Sequence, residues 1–260
     1  MEIFGMTMSL YTFLLLLGGG FLAGFIDSIA GGGGLVSLPV LLASGMPTHF
    51  ALGTNKFSAT FGAVMSAWQF WRAGKVDRAL LKKLLPFTFL GAAAGCMLMV
   101  FLSAALLRPI VIAALIGTAV FVFTKRDLGV QVRSAETIRH RLVKGIAAAF
   151  LIGAYDGFVG PGTGTFLIMS FAMLGFDFIV SAGNAKVLNL MSNATSLALL
   201  IYWRQILYFQ GLVMAAAIFG GAYFGSRLAI RRGSSFIWYV MLTVTTVLIG
   251  KLLLEYVGIL

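Results

Sequence analysis

The sequence offers little material for covalent or metal chemistry. It has one cysteine, Cys96, and two histidines, His49 and His140. A lone cysteine in an apolar segment gives neither a disulfide framework nor a thiolate metal site. A protein-only zinc centre needs about four donors held together, and these residues cannot supply them. Eight acidic residues are spread along the chain, poor material for the converging groups a membrane-embedded enzyme needs. No Gly-Lys-[Ser/Thr] follows the glycine clusters described below, and no strand precedes them in a soluble unit. That excludes a phosphate loop or a dinucleotide fingerprint. Energy for any work must come from an ion gradient, the substrate's own gradient or a partner subunit.

Charge is also scarce. Charged residues make up 10% of the chain against 60% hydrophobic, with a mean hydropathy of +1.00, outside the range of soluble domains. This composition reads as a polytopic membrane protein. The net charge of +11 could point to nucleic acid, but Lys and Arg fall mainly in short connections between apolar runs, where membrane topology puts them. No nucleic-acid partner is expected. The first leucine-rich run lacks the basic start of a signal peptide and reads as a retained span.

Against this background one stretch recurs. Gly24-Phe-Ile-Asp27-Ser-Ile-Ala-Gly31-Gly32-Gly33-Gly34 is answered by Gly153-Ala-Tyr-Asp156-Gly-Phe-Val-Gly160-Pro161-Gly162-Thr163-Gly164, with Asp27 and Asp156 lying 129 residues apart. Downstream the spacing becomes 130: Lys56 answers to Lys186 and Gly91/Gly95 to Gly221/Gly225. The chain is built twice.

Hydropathy gives ten segments, near 10–30, 34–46, 50–71, 84–102, 108–124, 143–159, 163–176, 181–203, 207–228 and 235–257. The second and seventh are too short for a normal span of about 20 residues, and each follows a glycine cluster. Short, Gly/Pro-interrupted segments at matching positions of two halves point to a transporter's binding site. Basic clusters at Arg72 to Lys83, Lys125 to Lys144 and Arg227 to Arg232 are expected on the cytoplasmic side. The first 55 residues contain no Lys or Arg, which puts the N-terminus outside, and the segment count puts the C-terminus outside too. Five segments per repeat make the repeats inverted. The predicted organisation is a first transmembrane repeat over 1–124, a cytoplasmic, mobile linker over 125–142 and a second repeat over 143–260. The fold class is all-α integral membrane, with about ten hydrophobic segments in two inverted five-segment repeats.

The candidate site follows from these repeats. Glycines let backbone approach a ligand closely, and a half-helix starting there presents unpaired N–H groups and a positive dipole end, so Gly31 to Gly34 and Gly160 to Gly164 favour an anion. The pairs Gly20/Gly24, Gly91/Gly95 and Gly221/Gly225 are read instead as helix-packing positions; such faces serve intramolecular packing or a homo-oligomer equally well, so oligomeric state stays open. Lys56, beside Asn55, and Lys186, near Asn184, could pair with an anion or snorkel to the interface. Asn189 and Asn193, one helical turn apart, are ligand donors or interhelical bonds. Asp27 and Asp156 are the acids expected deep inside segments, where an Asp costs on the order of 3 kcal/mol even on insertion scales. Each is a proton carrier for coupling, or a carboxylate paired with a lysine of the other half. His49 is expected in a solvated outside turn, and Trp68, Trp71, Tyr202, Trp203 and Tyr208 in an interfacial aromatic belt.

The Asp-x-x-x-Gly-Gly-Gly-Gly cluster at 27–34, Gly-Thr-Asn-Lys at 53–56 and their degenerate second copies resemble the TauE/SafE family of sulfite and sulfonate exporters, also called TSUP. The resemblance covers nearly the whole chain. It implies a permease of the bacterial inner membrane moving sulfite, sulfoacetate or another organosulfur anion, and it maps the family's signatures onto Gly31 to Gly34 with Asn55 and Lys56, and onto Gly160 to Gly164 with Asn184 and Lys186. The second copy departs with Pro161, Thr163 and Thr165, whose hydroxyls would donate to a sulfonate or satisfy backbone carbonyls. The expected function is a secondary transporter of small anions by alternating access, with no cofactor, a proton as candidate coupling ion and an anion channel as the rival reading.

Overall fold

The computed structural model describes residues 2, 3, 6–124, 138–237, 239, 240 and 243. The linker over 125–137, the C-terminus and most of the predicted tenth segment lie outside them; of that segment 235–237, 239, 240 and 243 are described and helical. A two-residue hairpin, β1 (Glu2–Ile3) and β2 (Met6–Thr7), opens the chain. Nine helices follow among the described residues: α1 (Leu10–Ala30), α2 (Gly34–Ala43), α3 (Thr48–Arg72), α4 (Arg78–Phe101), α5 (Ala104–Thr124), α6 (Ile138–Phe158), α7 (Thr163–Met173), α8 (Phe178–Tyr202) and α9 (Tyr208–Arg232). The protein is an all-α membrane protein.

Several helices outrun the hydropathy segments that predict them. α4 starts at Arg78 rather than near 84, α6 at Ile138 rather than near 143, and α9 continues to Arg232. The added turns are basic and amphipathic, so helix continues where hydropathy has already fallen. Asp77 and Asp177 cap α4 and α8, accepting from the N–H groups of Leu80 at 3.0 Å and Val180 at 2.8 Å, as short polar side chains do at helix starts. By length and hydropathy together, α1, α4 and α9 qualify as spans. Helices α3 and α8, at 25 residues each, reach about 38 Å, but their polar residues lower their hydropathy.

The buried apolar residues form two layers. One gathers Ile29, Phe70, Leu84, Ala149, Ile168, Leu188 and Ala229 at the basic end; the other gathers Leu16, Leu38, Leu52, Met99, Val159, Leu200 and Met214 at the far end. Chain direction follows: α1, α3 and α9 run toward the basic end, whereas α4, α6 and α8 run away from it. Helix pairing repeats as well, since α1 packs on α9 as α6 packs on α4, and α3 on α9 as α8 on α4.

Glycine makes these pairings close. A Cβ on Gly24 would strike the backbone of Ile218, and one on Gly221 that of Phe21; Gly91 and Gly95 face the backbones of Phe150 and Ala154 in the same way. These glycines therefore pack helix on helix within the chain. His49 corrects one expectation: it lies in the first turn of α3, partly buried, with Nε2 3.0 Å from the Leu102 carbonyl, so it ties two connections together.

Replacing Gly95 with Leu drives a side chain into the Ala154 carbonyl and is expected to destabilise by about 1–3 kcal/mol or more. Gly117, with nothing near its virtual Cβ, should accept Leu with little change. Melting temperatures of the two variants in one detergent check this.

Candidate functional site

Both glycine clusters break a membrane helix at the same depth. In the first, α1 ends on Gly31, whose φ of 80° lies in the left-handed region that glycine enters without cost; its N–H still closes on the Asp27 carbonyl at 2.8 Å. In the second, Gly160 and Gly162 take φ of 89° and 78° before α7 starts. The half-helices α2 and α7 have 10 and 11 residues, about 15–17 Å at 1.5 Å per residue. Neither can cross a core of about 30 Å. The two breaks touch: Gly31 and Gly164 pack backbone on backbone, the Thr165 N–H donates to the Gly31 carbonyl at 3.1 Å, and Thr165 Oγ1 donates to the Ala30 carbonyl at 2.9 Å.

The charges cross between the halves. Lys56 of α3 lies 2.8 Å from Asp156 of α6, and Lys186 of α8 lies 2.8 Å from Asp27 of α1. Of the two sequence readings of the aspartates, pairing with a lysine of the other half is what the structure contains. The pairs are unequal. Asp156 is 3% exposed and its second oxygen accepts from Ser192 Oγ and, at 3.4 Å, from Asn189 Nδ2. Asp27 is 26% exposed and its second oxygen takes the Gly33 N–H at 3.1 Å, at the start of α2.

A cavity of about 40 Å³ lies between the breaks. Among the predicted site residues, Asp27, Gly31, Gly33, Gly34, Asn55, Lys56, Asp156, Gly160, Thr163, Gly164 and Asn189 line it. Gly34 and Gly164 sit at the starts of α2 and α7, where N–H groups lack intrahelical acceptors, and neither N–H meets an acceptor among the described residues. Lys56 has three donors, of which Asp156 takes one. The site can therefore present a cation and N–H groups from both half-helices to one small anion. No group of His, Cys, Asp and Glu suited to a metal occurs among the described residues.

The remaining predicted residues lie behind this lining. Lys186 reaches the cavity only through Asp27. Thr165 satisfies a carbonyl, and Thr163 Oγ1 does the same toward Gly160 at 2.7 Å. Gly32 and Gly162 shape the turns without lining the cavity. Asn184 leaves the site altogether: its Oδ1 accepts from the Asp77 N–H at 2.8 Å, fixing the α3–α4 connection. Asn55 precedes Lys56 by one residue and Asn184 precedes Lys186 by two, so at about 100° per residue the two asparagines face different ways. Ser37 and Ser192 were not predicted. Ser37 bonds Asn55 Oδ1 at 2.6 Å but has no polar counterpart in the second half. Ser192 follows Asn189 by three residues, about 60° round α8, and that spacing could have revealed it.

Breaking a buried pair is expected to cost about 3–5 kcal/mol for one partner. Lys56→Ala and Asp156→Ala should each fall in that range, with the double variant costing less than their sum. At the other pair, Asp27→Ala should cost more than Lys186→Ala, because Lys186 is 0% exposed and would be left bare whereas Asp27 borders the cavity. Thermal melts of the four single and two double variants test this order.

Comparison with known proteins agrees with this architecture. The family model described as "Sulfite exporter TauE/SafE" matches residues 16–252. A "Probable membrane transporter protein" of Haemophilus influenzae is 35% identical over 91% of this chain and 92% of its own length. The "Probable membrane transporter protein YfcA" of Escherichia coli K12 is 36% identical over 91% and 88%, and "Probable membrane transporter protein ORF9" of a Sinorhizobium species is 35% identical over 90% of each. No solved structure gives a significant match. The broken-helix pair, the recurring clusters and the match across most of the chain lead to one assignment: the protein is a membrane transporter belonging to the TauE/SafE family.

Proposed function

We propose that this transporter moves a small sulfur oxyanion, sulfite foremost and organosulfonates second, by alternating access between two inverted repeats. The observation that carries the reading is the cavity between the two helix breaks, lined by Lys56 and by the acceptor-free N–H groups of Gly34 and Gly164. The family description supplies the chemical class. Size favours sulfite, since about 40 Å³ admits on the order of three waters, whereas a sulfonate with a carbon tail requires the halves to part.

Inversion is supported by chain direction: each of α1, α3 and α4 runs opposite to its counterpart α6, α8 or α9. Two inverted halves can exchange conformations about a fixed central site. With the basic clusters facing the cytoplasm of the inner membrane, the N-terminus lies outside.

Proton coupling would act through Asp27. An ionised carboxylate bordering the cavity repels an entering anion, and a proton on Asp27 removes that charge while leaving Lys186 positive. Anion and proton would then travel together. Asp156, held by Lys56, Ser192 and Asn189, would keep its ion pair throughout.

Flux of labelled sulfite into proteoliposomes should saturate, show counterflow and respond to an imposed proton gradient. The double variant Lys56→Gln with Asp156→Asn keeps a neutral hydrogen bond and should lose about 10- to 100-fold in flux, the worth of a charge-assisted hydrogen bond. Asp27→Asn should retain flux and lose its response to the gradient. Non-saturating flux without counterflow would make the protein a channel; no movement of sulfite, sulfoacetate or taurine would overturn the substrate class.

A further inference from the structure

A second concavity, of about 370 Å³, opens between α3 and α9 at the basic end of the bundle. Trp68, Gln69 and Arg72 of α3 face Tyr223, Arg227 and Arg231 of α9 across it. Gln69 Nε2 donates to the Tyr223 carbonyl at 3.1 Å, tying the two helices. Two of the three arginines are held by aromatic groups: the Arg72 guanidinium sits 4.8 Å from the Trp68 ring centre, and Arg227 lies over Tyr223 and donates to its hydroxyl at 2.9 Å. None of the three arginines has a carboxylate partner among the described residues. Among the described residues, Asp77 and Asp177 at this end are engaged as helix caps.

Three guanidiniums with planar donor forks suit phosphate oxygens, and Trp with Tyr at helix ends marks the depth of lipid headgroups. From Trp68 an exposed apolar stripe continues along α3 through Val64 and Phe61 toward the bilayer centre, at the helical spacing that places side chains in one row. A free inorganic anion has no use for that stripe; an acyl chain does. We propose that the groove is a binding site for an anionic phospholipid, its phosphate between Arg72, Arg227 and Arg231 and a chain along Trp68, Val64 and Phe61. Because α3 and α9 come from different halves of the chain, the bound lipid bridges them.

The test uses the full chain in mild detergent, with phosphatidylglycerol or phosphatidylcholine added in equal amounts, read by native mass spectrometry and by melting temperature. The wild type should retain phosphatidylglycerol at fixed stoichiometry, melt higher with it, and keep it when inorganic phosphate is added. Arg72→Gln with Arg227→Gln and Arg231→Gln should weaken retention on the order of a hundredfold, from about 1 kcal/mol per basic residue near a lipid surface. Arg78→Gln with Lys82→Gln and Lys83→Gln removes the same charge from the neighbouring α4 turn and should leave retention intact. Equal loss in both triples would reduce the effect to diffuse attraction, equal retention of phosphatidylcholine would remove the charge recognition, and displacement by phosphate would make it an inorganic-anion site. A change in subunit mass with lipid binding unaltered would assign the groove to a second copy of the chain. Each of these four results overturns the proposal.

Discussion

A charge cannot stand alone in the low-dielectric centre of a membrane protein. Transfer of an isolated ion costs far more than any one contact returns, so Asp27, Lys56, Asp156 and Lys186 must meet partners. The partners come from the opposite half each time. This reciprocity fixes how the halves dock: α3 has to carry Lys56 to α6, and α8 has to carry Lys186 to α1. The apolar layers above and below fill in around that requirement, with Phe70 and Ile168 on one side and Leu38 and Leu200 on the other.

The helix breaks depend on the same layer. With Asp27 engaged by Lys186, its second oxygen is left to the Gly33 N–H, which anchors the start of α2 at the membrane centre. Backbone freed by a break must find partners or border a cavity, since no lipid group can satisfy it. Here both happen: Thr165 takes up the Gly31 and Ala30 carbonyls, while the N–H groups of Gly34 and Gly164 are left at the cavity. Close glycine contacts between α1 and α9 and between α4 and α6 bring the breaks near enough to share that cavity.

Much of this was legible from spacing. The duplication, the two glycine clusters and the paired lysines and aspartates stand at near-constant offsets, and offsets survive folding. Hydropathy located the helices but misjudged their ends, because the basic turns of α4, α6 and α9 continue helix outside the apolar run. What a linear offset hides is rotation. Asn184 looked equivalent to Asn55, yet one residue of slip against the lysine turned it toward the Asp77 N–H. Likewise a count of polar residues does not say whether Thr165 faces a ligand or a carbonyl; that depends on the neighbouring loop from the other half of the chain.

The departures between the two copies explain why there is a cavity at all. At the 130-residue spacing that joins Lys56 to Lys186, Asn189 and Ser192 correspond to Ala59 and Gly62. In the second half the longer polar side chains close on Asp156 and bury it to 3%. In the first half the small residues leave room beside Asp27, and both Ala59 and Gly62 line the opening. A fully symmetric chain would have packed both aspartates alike, with two closed ion pairs and no space between the breaks. Loss of side-chain volume on α3 opens room beside the Asp27–Lys186 pair, while its twin, Lys56–Asp156 between α3 and α6, is closed over by Asn189 and Ser192 of α8 and continues to hold the halves together.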